Sequence, residues 1–157
     1  MNRRRIFAGL AVTALGLVLT ASHAAAQSAK DIVGVWTLTS AEAFGPAARG
    51  SIIFEANGRF SAILMRAELP KYASNNRTQG TAAEYKTTVE GSLAYFGTYS
   101  VSGTDLNFHI EGSTYPNWTG TDQKRTNTAI TGDELKYIQP TPSGGGPATP
   151  VTWKRVK

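Results

Sequence analysis

The residues best suited to chemistry sit close together in LNFHIEGSTYPNWTGTDQKR, residues 106–125. His109 and Glu111 are two positions apart, so an extended chain puts them on one face. Aimed inward, they form a His–carboxylate pair able to move a proton. Leu106, Phe108 and Ile110 occupy the opposite face. If that apolar set fills the interior, His109 and Glu111 face water and do nothing. Further on, Gln123 and Arg125 share a face, and an amide beside a guanidinium fork could fix an anionic or carbonyl-bearing ligand. The alternative is an exposed polar strand. Between the two sets, Pro116, Gly112 and Gly120 break strand pairing and make STYPNWTG a loop. Its Tyr115 and Trp118 are too large and apolar to stand in water without a reason, so they cover a core or meet a ligand.

Other candidates lie upstream. In LAYFGTYSV, alternation places Leu93, Tyr95, Gly97, Tyr99 and Val101 together. Tyr95 and Tyr99 then either line a pocket, each with one hydroxyl, or are core aromatics. Trp36, Leu38, Ser40 and Glu42 share a face, as do Phe60, Ala62, Leu64 and Arg66. A Glu42–Arg66 ion pair at a pocket mouth follows, with two solvated strand ends as the other reading.

Several chemistries are excluded by what the chain lacks. There is no Cys, and His109 is the only histidine outside residues 1–26, so no zinc ligand set can be completed. No G-x-S-x-G elbow and no glycine-rich phosphate loop occurs. No metal, nucleotide or other cofactor is expected.

The elements that must position these residues are short and alternating. Strands are expected over 35–43, 51–55, 59–66, 93–101, 105–112, 121–130, 134–139 and 151–156. Asn57-Gly58 signals a hairpin with positive φ at both central residues. Eight antiparallel strands are enough to close a sheet on itself. One helix interrupts them: TAAE at 81–84 fits a capping box, and Tyr85, Val89 and Leu93 recur on one helical face. It follows a polar loop at 67–80, well placed to cover one end of a barrel. PTPSGGGPATP, residues 140–150, reads as a floppy hairpin tip.

Residues 1–26 read as a secretory signal peptide: basic MNRRR, an apolar run, then small residues before Gln27. Ordinary and twin-arginine export both fit, and a periplasmic or secreted location is expected. Three of the chain's 16 Lys and Arg, and none of its 11 acids, lie in this segment. The remaining 13 against 11 give +2, too little and too scattered for a nucleic-acid footprint. The apolar run falls short of the roughly 20 residues of a spanning helix, so no stable membrane span is expected after cleavage. Residues 27–157 make one domain.

Gly34-Val35-Trp36 opens the first strand, and the chain closes on Trp153-Lys154-Arg155. Together with IVGVWTLTSAE, SIIFEANGRFSAILMR, AAEYKTTVEGSLAYFGTYSV and the 111–125 segment, this order of motifs resembles the bacterial lipocalin-like domain family across residues 31–156. The resemblance implies a calycin-type barrel with a possible internal cavity. It also implies a tryptophan, Trp36, closing the floor beneath Arg155 or Lys154. It implies no reaction. The leading expectation is an exported module binding a small hydrophobic or amphipathic molecule, with Tyr95, Tyr99, Trp118 and Arg125 as walls. The alternatives are an isomerase- or cyclase-type enzyme using His109 and Glu111, with Arg66 or Arg125 steadying charge, and a cavity-less envelope protein.

Overall fold

The computed structural model describes residues 29–157; the leader expected at residues 1–26 lies outside them. A short helix, α1 (Ala29–Ile32), leads into β1 (Gly34–Ala41), β2 (Arg49–Phe54) and β3 (Arg59–Met65). The second helix, α2 (Ala82–Gly91), is followed by β4 (Ser92–Ser102), β5 (Asp105–Ser113), β6 (Asp122–Thr131), β7 (Glu134–Gln139) and β8 (Thr149–Arg155). Each strand pairs antiparallel with the next, and β8 returns to β1 to close an eight-stranded barrel. Closure leaves no open sheet edge. On β3 and β5 the apolar alternate set turns in, as Phe60, Ala62 and Leu64 or Leu106, Phe108 and Ile110, whereas β6 turns in Arg125 and Thr128. Among the described residues no helix is long and apolar enough to cross a membrane.

Two local features differ from the expectations above. In β1 the register with β8 shifts between Leu38 and Ser40. That extra residue flips the pattern, so Ala41 is buried while Ser40 and Glu42 are exposed, contrary to the expected inward face. In the β2–β3 hairpin only Gly58 takes positive φ (84°), and Asn57 does not. The chain turns through Glu55–Gly58, with the Asn57 side-chain oxygen, Oδ1, accepting from the Arg59 amide at 3.0 Å.

One end of the barrel is sealed. Trp36 is fully buried, and its indole donates to the Ile32 carbonyl at 2.8 Å. The Arg155 guanidinium lies 4.0 Å above the indole and donates to the carbonyls of Val33 (2.7 Å) and Asp31 (2.6 Å). Gly34 explains why a glycine must precede by two. Its φ is 133°, open essentially to glycine, and a Cβ there would stand 2.9 Å from Arg155 Nη1. Above this plug, Phe54, Phe60, Phe108 and Tyr99 fill the lower barrel with rings 4.3–6.4 Å apart.

At the opposite end α2 is held by its cap. Thr81 Oγ1 accepts from the Glu84 amide at 3.2 Å, and Glu84 accepts from the Thr81 amide at 2.6 Å. The other Glu84 oxygen accepts from the Ala73 amide at 2.8 Å, tying the 67–80 loop to the helix. These amide donors hold the Glu84 carboxyl below its ordinary pKa. Tyr85 packs edge-on against Tyr72. Val89, expected on a buried helical face, is instead 73% exposed, because the next residue of that face, Leu93, already belongs to β4.

Candidate functional site

The upper barrel holds a cavity of about 540 Å³, within the size range of small-molecule sites. Its inner wall is formed by Leu64, Leu93, Tyr95, Trp118, Arg125 and Tyr137. Its mouth is rimmed by the end of α2, the 3-10 turn Glu42–Phe44 with Ala43 and Phe44, and the Pro142–Gly144 segment. Arg125 and Glu90 are the charged lining residues, and Glu90 sits at the lip, paired with Lys86.

Three of the expected site residues converge here. Tyr95 points in from β4 and is 4% exposed. Trp118 sits on the 3-10 turn Pro116–Trp118, edge-on to Tyr95 at 5.4 Å and to Tyr115 at 6.0 Å. The loop therefore folds over the barrel end, and Trp118 is both lid and wall. Arg125, on β6, is 1% exposed. Its guanidinium lies 5.2 Å from the Phe108 ring centroid, 5.6 Å from Trp118 and 6.0 Å from Tyr137. It donates to the Lys124 carbonyl at 3.1 Å and has no carboxylate partner among the described residues.

The other five lie elsewhere. Tyr99 shares a face with Tyr95 but belongs to the packed lower half, edge-on to Phe54 at 4.9 Å with its hydroxyl donating to the Glu55 carbonyl. Gln123 is half-buried and donates to Thr121 Oγ1 at 3.0 Å, outside the cavity lining. Arg66 lies just past β3, exposed, its aliphatic stem against Gly91. The expected Glu42–Arg66 ion pair does not form: the β1 bulge carries Glu42 into an exposed 3-10 turn. His109 and Glu111 stand on the outer wall, because the apolar set of β5 takes the interior. They do not pair with each other. His109 Nδ1 meets Asp122 at 2.8 Å, and Glu111 accepts both Arg59 nitrogens at 2.7 and 2.9 Å. A proton-transfer pair inside the barrel is therefore not built from them.

Tyr137 and Gln139 of β7 were not anticipated, although alternation from Leu135 would have turned both inward. Tyr137 accepts a hydrogen bond from Trp153 Nε1 at 3.0 Å. Burial pushes its phenol far above the ordinary range; the Arg125 guanidinium opposes this only in part. The hydroxyl therefore stays protonated and able to donate. Gln139 is buried with its amide donating to the Thr141 carbonyl at 2.6 Å, which pins the start of the β7–β8 connection at the mouth.

Residues 33–156 match the family model described as lipocalin-like domain. The chain is also similar to the 4'-hydroxy-3'-methoxypropiophenone carrier protein ppsC of Aspergillus oryzae (strain ATCC 42149 / RIB 40), at 33% identity over 107 residues. That match covers 61% of this chain and 96% of the Aspergillus protein.

Proposed function

We propose that this chain, which belongs to the lipocalin-like domain family, is a carrier that holds a small, partly apolar molecule in the upper half of its barrel. The observation that bears most weight is the division of the interior. The lower half is filled with its own rings, while the upper half keeps about 540 Å³ of space behind aromatic walls. A barrel evolved only for stability gains by filling such space, since voids forfeit packing. The relative's name supports the same reading and narrows it: a propiophenone is an aryl ketone, and its ring would suit the Tyr95, Tyr115 and Trp118 edges. Residues 1–26, read as a leader, support a location outside the cytoplasm. Amino-terminal sequencing of the periplasmic or culture fraction should then begin at Gln27.

Binding is tested with N-phenyl-1-naphthylamine, a neutral dye that brightens in apolar surroundings. Saturable brightening with one dye per chain is expected. Leu93→Trp, which fills the cavity from β4, should abolish it while the melting temperature holds. Dye binding that survives this filling would place the apolar site elsewhere and end the carrier reading.

A further inference from the structure

We propose that the natural occupant is an aromatic molecule bearing an anionic oxygen, carboxylate or phenolate, and that Arg125 is its counter-ion. This deepens the carrier reading and rests on it. A guanidinium remains charged at any pH a folded protein meets, and a buried charge left unpaired is strongly unfavourable. The distribution of ion pairs sharpens the point. Arg59, Lys86, Lys124, Lys136 and Lys157 all have carboxylate partners, and all five are on the surface. Arg125, the buried cation, meets the Lys124 carbonyl, the Tyr137 hydroxyl oxygen and three ring faces, none of which carries a negative charge. Ring faces attract a cation but do not neutralise it. An anion from outside supplies the missing charge.

The neighbours of Arg125 complete the receptor. The Tyr137 oxygen already accepts from the Trp153 indole, so its own proton is left to donate. A guanidinium fork and a phenolic O–H side by side match an oxygen that only accepts. Both line the cavity, and the guanidinium lies 5.6 Å from the Trp118 ring centroid. Trp118 is carried on a 3-10 turn outside the sheet, so admitting a head group past it breaks no strand pairing. The ligand's ring is then left among Tyr95, Tyr115 and Trp118.

The test compares 4-methoxycinnamate with 4-methoxycinnamyl alcohol, matched in ring and length but not in charge, by calorimetric titration with the naphthylamine dye as a separate monitor of the cavity. The carboxylate should bind about 10- to 100-fold more tightly, the span of a charge-assisted hydrogen bond. Arg125→Met should remove that preference. Arg125→Lys, which keeps a cation but not the fork, should retain part of it. Arg59→Met makes the same charge change on the outer wall and should leave the preference intact. Equal affinities in the unaltered protein, with dye still bound, overturn the anion proposal and leave the carrier standing. A preference that persists in Arg125→Met, or one lost in Arg59→Met, also overturns it. If neither probe nor the dye binds, the carrier reading itself falls.

Discussion

Two arginines lie against aromatic rings at opposite ends of one barrel, and they do different work. Arg155 lies 4.0 Å over Trp36, and two of its nitrogens end on the carbonyls of Val33 and Asp31. Its charge is spread over an indole face and two backbone dipoles, and it staples the chain's entry to its last strand. Arg125 is more deeply buried, at 1% exposure, yet its nearest ring centroid is 5.2 Å away and its acceptors are one backbone carbonyl and the neutral Tyr137 hydroxyl. The first arginine is complete within the fold. The second is surrounded by rings without being satisfied by them. A closed floor and a receptive cavity are thus made from the same pair of residue types, distinguished by how fully backbone carbonyls satisfy the guanidinium.

The comparison is tested most severely at the floor. Trp36→Ala removes a fully buried indole and should cost about 3–5 kcal/mol, measured by urea unfolding. Next comes the matched pair. Arg155→Met should lose about 2 kcal/mol, from the cation–π contact and charged hydrogen bonds. Arg125→Met should lose nothing and could gain about 1–4 kcal/mol, since an unpaired buried charge is replaced by a hydrocarbon of similar reach. Equal losses in the two variants would erase the distinction. At the rim, Thr81→Ala should cost about 1 kcal/mol through the lost helix cap.

The same cap carries a pH dependence. The folded Glu84 pKa is depressed below the ordinary 4.5, so its support is present above that value. It is lost as pH falls through the folded value, and amide exchange at Thr81 and Ala73 should quicken below that point. The smallest effect is expected on the outer wall. His109→Gln should leave ligand affinity unchanged and shift stability by no more than about 0.5 kcal/mol.

Much of this arrangement was legible before any coordinates. The eight strands, the capping box at Thr81 and the stacking of a late basic residue on Trp36 all followed from short-range chemistry and the family resemblance. Faces were legible too: Phe60, Ala62 and Leu64 turn in together, and so do Leu93 and Tyr95. Depth was not. Tyr95 and Tyr99 share a face, but four residues of strand carry them about 13 Å apart, one into the cavity and the other into the packed floor. Gln123 and Arg125 separate in the same way. Nor could the β1 bulge be read, because one extra residue in a ladder leaves no mark on local propensity, yet it carried Glu42 away from Arg66.

The sequence by itself determined which side chains share a face along each unbulged stretch of strand, since a strand's side-chain period is fixed at two by backbone geometry, and how the helix cap at Thr81 would close. Only the tertiary structure decided how high each inward residue stands along the barrel. That depends on the stagger between strands distant in the chain, which no local pattern encodes. It was this stagger that brought Tyr95 of β4, Trp118 of the loop, Arg125 of β6 and Tyr137 of β7 to one level and left space between them.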